Sequence, residues 1–137
     1  MFRPLIRLSL FGLAACASAP APPHLPEVRD CAPGAFVALP EPVWTAPATA
    51  VIDGDSFCMG AAEIRLQGYS APEWDAPGGP EARARLAELL AARGPVTCTA
   101  KARSYDRVIA ACTLPDGERL EAVLKREGSA PGVSGGP

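Results

Sequence analysis

A small, mainly β α+β domain behind an export segment is the fold class that this 137-residue sequence predicts. Three observations carry that expectation. Short β-like runs alternate with turn signals from residue 49 onward, two helical patterns interrupt them, and the stretch before residue 46 has the texture of a leader followed by a spacer. The length suits one compact domain and not two.

Residues 1–16 read MFRPLIRLSLFGLAAC: two arginines, an apolar run from Leu8 to Ala15, then small residues. That is the order of a secretory signal peptide, and the run is too short to span a bilayer. An N-terminal core helix fits poorly, because Pro20, Pro22 and Pro23 follow with no polar face between. Leu13-Ala14-Ala15-Cys16 resembles the lipobox of bacterial lipoproteins, which implies lipidation of Cys16 and a membrane tether through buried methylenes. Ordinary cleavage around Cys16 is the alternative. The expected location is the cell envelope, either periplasmic or membrane-anchored. Eight of the 16 prolines fall between Ser18 and Pro47, so residues 17–45 read as a Pro/Ala-rich, semi-rigid spacer.

Setting Cys16 aside with the leader leaves Cys31, Cys58, Cys98 and Cys112, an even number in an exported chain. Cys98 and Cys112 sit in β-like runs flanking a turn at residues 103–106, so a hairpin brings them together. Cys31 and Cys58 are then the second pair. A zinc site is disfavoured, since no C-x-x-C pair exists and the single histidine, His24, lies in the spacer.

Within the expected domain, 46–129, the runs 49–52 and 56–59 flank Asp53-Gly54-Asp55, a turn signal. In the third run, 61–68, Ile64 and Leu66 alternate with Glu63, Arg65 and Gln67. Pro72, Pro77, Gly78, Gly79 and Pro80 then force a loop. A helix over 81–93 follows, with Leu86, Leu89 and Leu90 on one side, Pro80 at its start and Gly94 at its stop. Strands over 96–102 and 107–114 lead through Asp116-Gly117 into a second helix, 118–127, striped by Leu120, Val123 and Leu124 and stopped by Gly128. The tail, 130–137, has no reason to order. Five short strands with a helix after the third fit a five-stranded OB-fold barrel with two helices, although composition alone leaves several small α+β folds open.

Three motifs narrow that choice. Val51-Ile52-Asp53-Gly54-Asp55-Ser56, the stretch from Ile64-Arg65-Leu66-Gln67-Gly68 through Tyr69-Ser70-Ala71-Pro72-Glu73, and Ser104-Tyr105-Asp106-Arg107 occur in this order and spacing. Together they resemble the opening, central and turn motifs of the thermonuclease (staphylococcal nuclease-like) family, over about residues 46–129. The resemblance implies an OB-fold and a calcium-dependent hydrolysis of DNA or RNA phosphodiesters. It assigns Asp55 as a metal ligand, Glu73 as the base that handles the attacking water, and Arg65 and Arg107 as catalytic clamps on the transition-state phosphate. Guanidinium forks and a divalent cation are the groups that neutralise charge building on phosphoryl oxygens.

The pattern departs at one position. The family's second aspartate falls on Ser70, and Ala71 beside it offers only a backbone carbonyl, so the metal shell loses a full charge. Asp53 and Asp75 are near in sequence but off the ligand positions, and Arg103 stands where the family often has an aspartate. Net charge is −2, or −4 once Arg3 and Arg7 leave with the leader (eleven basic against fifteen acidic residues), so any polyanion binding rests on local arginines. Phe57 and Tyr69 read as core or rim packing, while Trp74 is the platform candidate for base stacking. The expected function is an exported metal-dependent nuclease acting on single-stranded DNA or RNA as a monomer. The alternative is a non-catalytic binding module of the cell envelope with a degenerate calcium site.

Overall fold

The structure, a computed structural model, describes residues 20, 23–33, 42–104 and 107–127. Six strands and two helices follow one another as β1 (Val43–Ala46), β2 (Ala50–Asp53), β3 (Ser56–Met59), β4 (Ala62–Leu66), α1 (Gly79–Arg93), β5 (Val96–Ser104), β6 (Arg107–Thr113) and α2 (Leu120–Arg126). The expectation of an α+β, mainly β domain is met; the count of five strands is not. Three of the four residues of the extra strand, β1, lie inside the stretch expected to be spacer, 17–45. Its Val43-Trp44-Thr45 run is rich in β-forming residues, but prolines at 40, 42 and 47 mask it in a composition reading.

The strands form one sheet in the order β1-β5-β6-β4-β3-β2. All neighbours are antiparallel except β4 and β6, which run parallel. The first and last strands of that order are consecutive in the chain, joined by Pro47, Ala48 and Thr49 alone. A three-residue link spans only about 10 Å, so the sheet curls until its two ends approach each other.

Period-two alternation positions the core. Ile64 and Leu66 on β4, Val96 and Cys98 on β5, and Val108, Ala110 and Cys112 on β6 point inward and are almost fully buried. Helix α1 adds Leu86, Ala87, Leu89 and Leu90 to the same core cluster, and α2 adds Leu120, Val123 and Leu124. Helix α1 starts two residues earlier than expected, at Gly79, capped by Gly78, whose left-handed φ of 82° is disfavoured for any residue with a Cβ.

Residues 26–28 act as a strap on the exposed edge of β2. Val28 N–H donates to Val51 O and Val51 N–H donates to Pro26 O, both at 2.9 Å. Arg83, on α1, clamps the strap by donating to the Val28 carbonyl and pairing with Glu27 at 3.6 Å. The Cys31–Cys58 disulfide ties it to β3, and Ile52, Ala50 and Cys58 form a small apolar cluster beneath it. Cys98 and Cys112 stand directly opposite each other in the β5–β6 register and form the second disulfide. Two structural disulfides suit an oxidising, extracellular-type environment. Among the described residues no helix is long and apolar enough to cross a membrane. The leader with Cys16, the turn residues Tyr105 and Asp106, and the tail from Gly128 onward lie outside the described residues.

Each bridge closes a loop of moderate length, 27 or 14 residues in separation. The joint substitution Cys31→Ser and Cys58→Ser is expected to lower the unfolding free energy by about 3 kcal/mol, read from urea denaturation midpoints. An unchanged midpoint would mean that the strap is held by Arg83 and the backbone bonds alone.

Candidate functional site

The β2–β3 turn and the loop after β4 build the site jointly. The β2 register slips between Val51 and Asp53, a bulge that frees Ile52 from the ladder and re-aims the turn that follows. Asp53 then accepts the Trp74 N–H at 2.7 Å, and Asp55 accepts the Ala71 N–H at 2.8 Å. Both carboxylates of the Asp53-Gly54-Asp55 turn therefore anchor the backbone of the 70–74 loop. Gly54 between them lies against Ala71 and Ala82; a Cβ there would fall 2.7 Å from the Cβ atoms of both. Gly79 is equally constrained, since a Cβ would overlap the Glu73 carbonyl.

Arg65 projects outward from β4 and is pinned along its length. It donates to the carbonyls of Leu66 and Tyr69, to the Ser70 hydroxyl at 3.1 Å, and pairs with Asp55 at 3.3 Å. Arg107 opens β6, opposite Glu63 in the parallel β4–β6 register, with its Nε 4.0 Å from the Glu63 carboxylate. Alternation puts Arg65, Arg107 and Ile109 on the same outward face. They line one cleft of about 440 Å3 with Gln67, Tyr69, Ser70 and Ser104. Arg107 is 40% exposed and Arg65 24%.

Of the residues singled out from the motifs, Arg65, Ser70 and Arg107 meet in this cleft. Asp55 lies behind Arg65, only 6% exposed. Burial pushes its carboxyl above the usual 3.8, against the Ala71 N–H, Arg65 and Arg107, which favour the charged form. Glu73 is exposed and is not among the cleft residues. Its carboxyl is also raised, first by repulsion from Asp53, then by partial burial and a hydrogen bond with Asp53, with Asp55 and Asp75 adding to the effect. The Asp55–Arg65 pair thus borders the arginine-lined cleft, and Asp53, Asp55 and Asp75 lie near enough to Glu73 to disfavour its charged form.

The donor set matches poorly what calcium requires. Ca2+ takes six to eight oxygen ligands, usually with several carboxylates. At the expected positions one carboxylate is present, and its Oδ2 already receives the Ala71 N–H and faces Arg65. Ser70 offers a neutral hydroxyl turned to the same guanidinium, and Ala71 contributes its N–H to Asp55. Among the described residues no group of three histidine, cysteine, aspartate or glutamate side chains is placed to hold a metal ion.

Several functional groups escaped the sequence reading. The anchoring role of Asp53 had a signal, an aspartate in a tight turn, but its partner Trp74 is 21 residues away and sequence spacing does not reveal it. Ser104 and Gln67 reach the cleft through the sheet register. Trp74 carries the Arg29 guanidinium 4.6 Å above its ring centroid, so a face of the expected base-stacking platform packs against the strap. Phe57 and Tyr69 are core residues.

Fold and site together define a small disulfide-braced, mainly β domain with an arginine-lined cleft. No protein-family model matches the chain, and no curated protein matches it.

Two expectations test this geometry. Gly54→Ala must push the 70–74 loop or α1 outward, and an overpacked site of this kind costs about 1–3 kcal/mol, measurable by thermal unfolding. For Asp55, a raised folded-state pKa means that the native state holds the proton more tightly than the unfolded chain. Its contribution to stability is therefore fully present below pH 3.8 and is lost as pH rises through the folded value. The stability of Asp55→Asn relative to the parent should grow across that window and level off above it. A difference that shrinks with rising pH would show that Arg65, not burial, governs the group.

Proposed function

We propose that the chain is an exported, thermonuclease-like OB-type domain whose Arg65–Arg107 cleft binds the phosphodiester backbone of single-stranded DNA or RNA. The observation that carries this reading is the cleft itself: Arg65 and Arg107 line it together with Ser70 and Ser104, and among the described lining residues there is no carboxylate. Guanidinium forks match phosphate oxygens in shape and charge. An OB-type barrel is supported by the sheet order, with the parallel β4–β6 pair and antiparallel neighbours. In it, β1 and β2 are two halves of one bent first strand interrupted at Pro47, which reconciles six observed strands with a five-stranded barrel.

Hydrolysis is the second reading, and Glu73 is the observation that favours it. An exposed carboxyl with a raised pKa, on the loop next to the cleft, is of the type that accepts a proton from water. In this reading a water oxygen bonds to phosphorus as Glu73 takes one of its protons, the ester P–O bond breaks and the leaving oxygen takes a proton from solvent. Arg65 and Arg107 stabilise charge on the phosphoryl oxygens. The poor calcium donor set weighs towards binding without turnover. Delivery to the envelope follows from the leader, as a free periplasmic monomer or tethered through Cys16; the mass of the mature N-terminus distinguishes the two.

Binding is tested with a fluorescent oligothymidylate at low ionic strength. Arg107→Ala should weaken affinity by about tenfold and lower the slope of log K against log salt by about one, the signature of a lost phosphate contact. Unchanged affinity and slope would sink the reading. Any cleavage of the oligonucleotide that disappears in Glu73→Gln, with binding kept, would establish the hydrolytic reading instead.

A further inference from the structure

We infer that the cleft holds its phosphate oxygens without a divalent cation, and that Ser70 is the residue that makes this so. The inference rests on the phosphodiester-binding reading above. It follows from how charge is distributed around the cleft. A site that uses a metal to bind phosphate places carboxylates beside the guanidiniums, and the cation offsets their repulsion of the ligand. Here the carboxylate beside Arg65, that of Asp55, is committed. Its Oδ2 accepts the Ala71 N–H and faces Arg65, and the side chain is shielded behind that arginine.

Ser70 sits between Arg65 and the open cleft. Its Oγ accepts from Arg65 Nη2 at 3.1 Å, which orients the guanidinium without cancelling its charge. The other guanidinium bonds, to the carbonyls of Leu66 and Tyr69, also fix its position with neutral partners. Arg107 faces the same space and pairs with Glu63 at 4.0 Å. Among the described lining residues, a cation entering the cleft meets two guanidiniums and no acidic side chain. An anion meets two guanidiniums and the hydroxyls of Ser70 and Ser104. A carboxylate at position 70 would reverse this balance: it would repel the phosphate and create a place for a bridging cation.

The test measures anisotropy of a fluorescent oligothymidylate on the full chain, in chelator and in millimolar calcium, for the parent, Ser70→Asp and Arg107→Ala. The expected result for the parent is an affinity in chelator within about twofold of that in calcium. Ser70→Asp should bind about tenfold more weakly in chelator and recover with calcium. Circular dichroism and the urea midpoint check that both variants fold. Parent binding that tightens tenfold or more with calcium overturns the inference but leaves the phosphodiester reading standing. Ser70→Asp binding like the parent in chelator overturns the role given to Ser70. No binding by the parent in either condition, or binding indifferent to Arg107→Ala, overturns the phosphodiester reading itself.

Discussion

Two hydrogen bonds from backbone N–H groups to side-chain carboxylates hold the functional face of this protein together: Trp74 N–H to Asp53 and Ala71 N–H to Asp55. They hang the loop that carries Ser70 and Glu73 from the β2–β3 turn. Carboxylate acceptors make such bonds strong, and burial of Asp55 raises the cost of breaking its bond. The missing side chain of Gly54 allows the close approach, so the turn, the loop and the first turn of α1 meet at one point. Moving any of the three displaces Ser70 and the carbonyl of Tyr69, and with them the orientation of Arg65.

Around that point the sheet is finished at its margins by chain that precedes the first expected strand. β1 extends one end along β5, and the 26–28 strap covers the backbone of β2 at the other. An open β-edge invites pairing with another chain. Here the strap occupies it, and Arg83, Glu27 and the Cys31–Cys58 bridge hold the strap in place. The strap also brings Arg29 onto Trp74, so edge protection and the packing of the functional loop are linked mechanically.

The outward face of β4 and β6 presents Arg65 and Arg107 together with Glu63, which pairs with Arg107 at 4.0 Å, while Asp53 and Asp75 lie near enough to Glu73 to repel its charged form. With an acidic chain overall, long-range steering of a polyanion is weak, and recognition depends on short-range guanidinium contacts that salt readily screens.

Strand alternation, the amphipathic stripe of α1 and both cysteine pairs were legible in the sequence, because each depends on local periodicity or on the small number of ways four thiols can pair. Arg65 and Arg107 were singled out with Asp55 and Glu73 only through the motif resemblance; the structure brings the two arginines together with Ser70 in one cleft, while Asp55 lies behind Arg65 and Glu73 is not among the cleft residues. What only the tertiary structure decided is where the partners of those residues lie. Asp53 and Asp55 read as turn formers or ligands, yet their hydrogen bonds go to a loop 16 and 21 residues onward. Proline-rich chain before residue 46 read as a spacer, yet it supplies a strand and a strap once β2 and β5 offer unpaired backbone. Such contacts arise from closure of the curled sheet, and closure is a property of the whole chain that no local pattern encodes.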